Sequence, residues 1–351
     1  MVWDMAAPED TAPEDTAPED TAPEDTLEGV GEAAVLARIF PRLPVAFAQL
    51  VGPGDDAAVL TASDGRYVVT TDLMVHGPDF RLGWSTPHDL GWKAAASNLA
   101  DVAAMGARPT ALLVALAAPA ATPVAELEEL ADGLREACAA LAPGCGVVGG
   151  DLTVSPTLTI AVTALGELDG REPVLRSGAR VGDVLAVAGL LGVAGAGISL
   201  LFQRGVDAEG VPDAAAATAL RPEHDALLDA QLTPRPPIAA GAAAAAAGAT
   251  SMLDVSDGLV KDAGRIARAS GVALALELAA LEPGTPGMTM DHVLYGGEDH
   301  ALLATFPPGT VLPESFRPIG RALAGSGVLL DGKPLFGRGW DPYTGWDGSG
   351  G

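Results

Sequence analysis

Six aspartates stand beside glycines or at the ends of apolar segments, where side chains from separate elements can meet in a folded protein. They are Asp56, Asp72, Asp101, Asp151, Asp254 and Asp257. Magnesium prefers such hard oxygen ligands; it takes one or two carboxylates and fills its other positions with water or phosphate. Gathered carboxylates repel each other, so bound divalent ions would supply the compensating charge. The pattern predicts a site in which several magnesium ions hold a polyphosphate.

Each aspartate taken alone also has a purely structural explanation. An aspartate after glycine is commonly a turn residue, and Asp257 could cap the helix that follows it. Lys93, Ser97 and Asp101 recur every four residues and could form the solvated stripe of a helix. Because the same pattern recurs six times, at elements that we expect to converge in one sheet, a metal site is favoured.

The absence of other phosphate-binding and catalytic motifs supports this interpretation. The sequence has no Gly-x-x-x-x-Gly-Lys-Ser/Thr loop, no Gly-x-Ser-x-Gly elbow and no histidine pair at zinc-ligand spacing. Its only lysines are Lys93, Lys261 and Lys333. Magnesium would therefore take the place that lysine has in the common phosphate-binding loops.

Alternating strand-like and helix-like segments must position these residues. Thr86, Pro87 and Asp89 form a capping box with proline in the first turn, which predicts a helix to Met105 that Gly106 ends. Further helices are predicted at 32–40, 124–140, 238–247 and 257–269. Strands are predicted at 57–60, 66–71, 111–117, 157–165, 184–188, 251–255 and 301–306. The fold class is mixed α/β (mixed α+β sheets) in two domains, 27–168 and 169–351.

Composition excludes several classes of function. The chain has 46 acidic and 20 basic residues and a net charge of −26, so it repels nucleic acid and anionic lipid. Residues 1–26 contain four Ala-Pro-Glu-Asp-Thr repeats and predict a disordered acidic tail. The N-terminal residues do not resemble a signal peptide. The uncharged stretch 184–203 is long enough for a membrane span, but its four glycines favour a strand, a turn and a buried helix. We expect a cytoplasmic protein without a membrane or nucleic-acid partner.

Seven segments, in this order and spacing, resemble the thiamine-monophosphate kinases of the aminoimidazole ribonucleotide synthetase superfamily. The resemblance extends from Gly29 to about Trp346. The segments are GDDAA at 54–58, TTD at 70–72, KAAASNLADVAAMGA at 93–107, GGD at 149–151, RSGA at 176–179, DVSDGL at 254–259 and YGGED at 295–299.

The resemblance implies that the γ-phosphoryl group of ATP passes to thiamine monophosphate. It implies a two-domain fold whose N-terminal sheet pairs across a homodimer to form a barrel. The implied magnesium ligands are Asp56, Thr71, Asp72, Asp101, Asp151, Asp254 and Asp257. The implied ATP-binding residues are Gly150, Asp151, Arg176 and Ser256, and the implied substrate-binding residues are Asp79, Glu298 and Trp346, with Tyr343 as the alternative aromatic.

One position departs from the family pattern. The family has Gly-x-His-Phe where this chain has Gly77-Pro78-Asp79-Phe80, so Asp79 replaces a histidine expected to contact thiamine. A cationic thiazolium tolerates an aspartate, and His76 could substitute only in a rearranged loop. Two alternative functions stay open at this point: another ATP-dependent member of the superfamily with a different small acceptor, and a catalytically silent nucleotide-binding scaffold.

Overall fold

A computed structural model describes residues 25–52 and 58–336 of the chain. Asp25 and Thr26, which we placed in the tail, belong to the folded part. The Asp25 carboxylate pairs with Arg38, and the Thr26 hydroxyl accepts a hydrogen bond from Gly29 N at 3.2 Å. The folded part thus includes two residues of the predicted tail, and residues 1–24 lie outside the described residues.

The described helices confirm the principal helical predictions. They are α1 Leu27–Val30, α2 Glu32–Ile39, α3 Pro87–Ala104, α4 Val124–Leu141, α5 Val193–Arg204, α6 Ala214–Leu232, α7 Ile238–Ala246, α8 Leu259–Ser270 and α9 Met290–Tyr295. The capping box predicted at Thr86 is formed, with both of its hydrogen bonds to Asp89. Helix α6 was not predicted, because Pro222 and the kink at His224 interrupt its periodicity.

Thirteen strands in the described ranges form three sheets. The strands are β1 Gln49–Val51, β2 Val59–Leu60, β3 Val68–Val75, β4 Arg108–Ala118, β5 Gly146–Val154, β6 Thr159–Glu167, β7 Val184–Ala188, β8 Ser251–Val255, β9 Ala273–Leu276, β10 Ala301–Phe306, β11 Phe316–Leu323, β12 Gly327–Leu330 and β13 Lys333–Leu335. The first sheet has the order β3-β6-β4-β5, and the second has the order β13-β12-β9-β11-β7-β10-β8. β1 and β2 form a separate pair.

The expectation that all the aspartates converge in one sheet is wrong. Asp72 and Asp151 lie in the first sheet, whereas Asp254 lies in the second. Each also lies inside its strand, because β3, β5 and β8 continue past the aspartate instead of ending at it.

Helix α3 joins the two sheets. It packs against β3 and β6 of the first sheet and against β8 and β10 of the second. Its alanine-rich interior is buried, and glycines let it approach α4 closely: a Cβ at Gly91 would lie 2.0 Å from the Leu130 carbonyl oxygen, and one at Gly133 would lie 2.1 Å from that of His88. The helix that carries Lys93 and Asp101 is therefore fixed against both halves of the molecule.

The uncharged stretch 184–203 folds as predicted, into β7, a glycine-containing turn and the first turns of α5. Within the described residues, no helix combines the length and the apolar character needed to cross a membrane.

Candidate active site

Three aspartates from three elements form what we call the carboxylate cluster: Asp72 on β3, Asp101 on α3 and Asp254 on β8. The Thr70 hydroxyl donates to Asp101 Oδ2 at 2.8 Å. The imidazole of His300 lies within hydrogen-bonding distance of Asp254, with Nδ1 3.1 Å from Oδ2. The structure therefore brings these three sequence-predicted residues near one another through the packing of α3 between two sheets, and their role as metal ligands stays a prediction.

Electrostatic repulsion marks the carboxylate cluster. Burial raises the pKa of Asp101 to about 7, and the neighbouring charges of Asp254 and Asp72 add to that shift. Burial likewise raises the pKa of Asp72, with a further contribution from Asp254. The carboxylates repel each other in the absence of a cation, and a bound divalent ion would remove the repulsion.

The donor set fits hydrated magnesium. In the described ranges, no three histidine, cysteine, aspartate or glutamate side chains lie close enough together to hold one ion as a ready-made cage. Magnesium does not need such a cage, because it keeps several waters and is commonly held by one or two carboxylates together with substrate phosphates. Asp72, Asp101 and Asp254 can each supply one such carboxylate.

Asp257 lies in a different electrostatic setting. Its carboxylate pairs with Lys261 Nζ at 3.3 Å and with Arg265, and its own backbone N–H donates to Asp262 Oδ2 at 3.0 Å. It does not cap α8, because that helix begins after Gly258 and has no side-chain capping bond. The alternative explanation of Asp257 as a helix cap is therefore wrong.

Glu298 lines a pocket of about 530 Å³, which we call the lysine pocket. Asp79, Lys93, Gln231 and Ser256 line the same pocket. Lys93 Nζ lies 3.0 Å from Glu298 Oε1, and Gln231 Nε2 donates to Oε2 at 2.5 Å. Loss of solvent opposes ionisation of Glu298, but Lys93 and Gln231 outweigh it and lower its pKa. Glu298 is therefore an ionised carboxylate held from two helices.

Asp79 faces the same pocket from the segment that follows β3. Its Oδ2 accepts a hydrogen bond from Val75 N at 2.7 Å, and burial raises its pKa, with Glu298 adding to the shift. His76 is not among the residues that line the pocket; it packs on Phe80, with the ring centroids 5.6 Å apart.

A second pocket, which we call the arginine pocket, is lined by two members of the carboxylate cluster. It has a volume of about 720 Å³, and Arg66, Thr70, Asp101, Arg176 and Asp254 are among its lining residues. Arg176 and Ser256, which the resemblance assigns to one nucleotide, thus line different pockets. Arg176 and two carboxylates of the cluster share the arginine pocket, so this pocket can hold an anionic group against ions bound at the cluster.

Asp151 is not brought to the cluster within one chain. Strand pairing puts Asp151 in one row with Ala115, Ala161 and Leu73, next to the row of Asp72. Adjacent rows face opposite sides of a sheet, so Asp151 lies on the other face and three strands away. Gly150 and Asp151 line a separate, largely apolar cavity of about 730 Å³.

Thr71 shares that other face of the sheet. Its hydroxyl donates to the Val162 carbonyl at 3.0 Å and accepts from the Thr163 hydroxyl at 3.1 Å. Thr70, its neighbour, is the threonine whose side chain reaches the cluster. Asp56, Tyr343 and Trp346 lie outside the described residues.

Three residues at the site were not predicted from the sequence: Thr70, Gln231 and His300. Lys93 was noted only as part of a polar stripe. A usable signal did exist at His300, because it extends a run of three charged or polar residues after Gly296 and Gly297. Glu298 and His300 adopt left-handed φ angles of 65° and 51°, and Asp299 between them accepts hydrogen bonds from Gly192 N at 2.5 Å and Ala194 N at 2.9 Å.

Comparison with known proteins places this geometry in a family. The family of AIR synthase related proteins matches in two parts, with its N-terminal domain at residues 54–168 and its C-terminal domain at 180–313. The chain is 46% identical over 335 residues to a thiamine-monophosphate kinase of Mycobacterium tuberculosis, covering 92% of this chain and 93% of the relative. It is 41% identical to that of Corynebacterium glutamicum, covering 83% and 88%.

Solved structures agree with these relatives. A structure described as AaThiL complexed with AMPPCP and TMP matches with a TM-score of 0.68 and 31% identity, covering 82% of this chain and 90% of that one. The thiamine-monophosphate kinase of Stenotrophomonas maltophilia matches with a TM-score of 0.72 and 31% identity, covering 86% and 96%. The hydrogenase maturation protein HypE, at 18% identity and a TM-score of 0.61, shares the fold.

Proposed function

The chain belongs to the AIR synthase related family and, within it, to the thiamine-monophosphate kinases, and we propose that it transfers the γ-phosphoryl group of ATP to thiamine monophosphate. The products are thiamine diphosphate and ADP. One observation from the molecule itself carries this proposal furthest: Asp101 and Asp254 of the carboxylate cluster line the arginine pocket. Asp79 of the lysine pocket lies near enough to the third member, Asp72, for its charge to add to the raised pKa of Asp72. This is the arrangement that a donor and an acceptor phosphate require.

Magnesium is the metal that we propose for the cluster. Bound there, it would neutralise the phosphate charges that otherwise keep the two substrates apart. Asp72, Asp101 and Asp254 would hold it. The raised pKa values of Asp72 and Asp101, to which the charge of Asp254 contributes, support this role. Asp56, Thr71, Asp151 and Asp257 stay proposed ligands by family resemblance.

The residues of each pocket have distinct tasks in this proposal. Arg176, with Gly150, Asp151 and Ser256 by resemblance, binds ATP. Glu298 and Asp79 attract the positively charged thiazolium, and Trp346 completes the pocket by resemblance. The attacking phosphate oxygen is already anionic near neutral pH, so no general base is required, and we propose direct in-line transfer without a phosphoenzyme.

We propose a homodimer in which two copies of the first sheet face each other in a barrel. The open face of that sheet carries exposed Val69, Leu73 and Leu113, which a partner would cover. Asp151 lies on the same face as Leu73. In such a dimer, Asp151 would lie next to the second protomer and could complete a site together with it.

The division into domains 27–168 and 169–351, after a tail at 1–26, is part of the same proposal. The change from the first to the second sheet between Glu167 and Val184 supports the boundary. We propose a cytoplasmic enzyme, since its co-substrate is ATP.

The proposed function is tested by measuring ADP release from ATP and magnesium with a panel of phosphorylated acceptors, with and without a chelator. Thiamine monophosphate is expected to stimulate ADP release strongly, and chelation is expected to abolish it. The proposal would be contradicted if a different acceptor stimulated ADP release and thiamine monophosphate did not. It would also be contradicted if no acceptor stimulated ADP release. A covalent phosphoenzyme in a single turnover would contradict direct transfer.

A further inference from the structure

Gln231 has an unused hydrogen-bond acceptor inside the lysine pocket. The residue lies in the last turn of α6, is 3% exposed and lines the pocket. Its Nε2 donates to Glu298, but its Oε1 is buried and has no hydrogen-bond partner among the described residues. A buried carbonyl oxygen without a partner costs free energy, so it marks a place where something else donates to it.

The orientation of the Gln231 amide follows from its neighbour. Glu298 is an ionised carboxylate, which only accepts hydrogen bonds, and its other oxygen is already paired with Lys93. The amide must therefore present its NH₂ group to Glu298. The carbonyl oxygen is left as a buried acceptor without a partner in a residue that lines the pocket, and a ligand N–H or O–H that packs against Gln231 could donate to it.

The walls around Gln231 suit a flat aromatic ring. Phe202 is 55% exposed, lines the pocket and packs edge-on against Trp84 with the ring centroids 4.9 Å apart. Ile198 and Leu232 add apolar surface. The ligand group expected here is a planar heteroaromatic ring that carries an N–H donor at its edge.

Thiamine monophosphate contains one such group. Its thiazolium ring has no N–H, whereas its pyrimidine ring carries an exocyclic amine with two donor hydrogens. We propose that Gln231 Oε1 accepts a hydrogen bond from this amine, which makes Gln231 a specificity-determining residue for the aminopyrimidine end of the substrate. The inference rests on the proposed function and adds a recognition contact to it.

The test compares thiamine monophosphate with the analogue in which hydrogen replaces the pyrimidine amine, using kcat/KM for each. The wild-type enzyme is expected to prefer the natural substrate about 10- to 100-fold, as for a lost buried hydrogen bond. In Gln231→Met, which keeps the volume but removes the acceptor, the preference is expected to fall to nearly one. Gln203→Met is the matched control, because Gln203 is exposed on α5, and it should keep the wild-type preference.

The preference ratio separates recognition from folding. A general disturbance of Glu298 would slow both substrates equally and leave the ratio unchanged, so an unchanged ratio in Gln231→Met overturns the inference. Gln231→Asn retracts the amide by one methylene and serves as a second variant, in which the ratio should also collapse. A wild-type enzyme that turns over both substrates equally well overturns this inference alone. A wild-type enzyme that phosphorylates neither overturns the proposed function instead.

Discussion

Two groups of aspartates lie near each other in this protein and differ in how their charge is balanced. Among the described residues, the carboxylate cluster has the His300 imidazole beside it, and no ion pair with lysine or arginine is found there. The second group, which we call the neutralised pair, consists of Asp257 and Asp262. Arg265 contacts both of its carboxylates, and Lys261 contacts Asp257. The same residue type is therefore left in mutual repulsion in one place and compensated by side chains in the other.

The difference indicates separate roles for the carboxylate cluster and for Asp262. Asp262 is fully buried, and burial raises its pKa to about 6 even though Arg265 opposes the shift. Its charge is compensated within the chain, as expected for a structural role that fixes the start of α8. The carboxylate cluster reaches electrostatic balance only with a cation from solution, as expected for a site that works on phosphates.

The largest expected effect follows from changing the unbalanced group. Asp101→Asn keeps the shape and removes one charge, so the activity should fall by at least about 100-fold, equivalent to about 3 kcal/mol, through loss of metal-assisted stabilisation. Steady-state kinetics at saturating magnesium measures this. Thermal stability should be unchanged or higher, because a repelled carboxylate has gone. Asp225→Asn, in an exposed ion pair on α6, is the control, and wild-type activity in Asp101→Asn would remove Asp101 from the site.

A change at the neutralised pair should lower the stability of the protein, whereas Asp101→Asn lowers its activity. Arg265→Met leaves buried Asp262 with less compensation, and we expect a loss of about 2 kcal/mol in the free energy of unfolding. Denaturant unfolding measures it, with Arg268→Met, an exposed position on the same helix, as the control. If Arg265→Met unfolds like Arg268→Met, the two groups do not differ as described.

The pH dependence of stability sharpens the comparison further. Asp101 has a pKa of about 7 in the folded protein, against about 4 in an unfolded chain. The folded state therefore keeps a proton that the unfolded state has lost, and stability should decrease as the pH rises from about 4 to 7. In metal-free protein, we expect the wild type to lose roughly 1 kcal/mol more than Asp101→Asn over this range. Parallel stability profiles for the two proteins would argue against the raised pKa.

The smallest expected effect is that of magnesium alone. Without nucleotide, magnesium should raise the melting temperature of the wild type by about 2 °C at pH 8, by binding the folded state. At pH 5, where Asp101 is protonated, the shift should vanish, and Asp101→Asn should show a smaller shift than Arg268→Met at pH 8. Equal shifts at both pH values would place the ion elsewhere.

Local features of the site were predictable from the sequence. The capping box at Thr86 and Asp89 depends on residues three apart, and the run from Lys93 to Asp101 on one helix depends on a spacing of four, so both could be read directly. The alternatives for Asp257 could not be resolved in this way. Lys261 and Arg265 follow it at the same spacing of four, which is compatible with both alternatives, and only the observed start of α8 after Gly258 excludes the helix cap.

The sequence by itself determined the kinds of chemistry available: many carboxylates, few lysines, and motifs that identify the family. Only the tertiary structure decided which of these groups meet. Asp72 and Asp254 belong to different sheets, and Asp101 reaches both because α3 packs between them. Asp151 faces away because a one-residue step in a strand reverses the side of the sheet. Gln231 enters the pocket from a helix 67 residues before Glu298. Such contacts depend on packing between elements that are distant in the chain, so they cannot be predicted from residue spacing along the sequence.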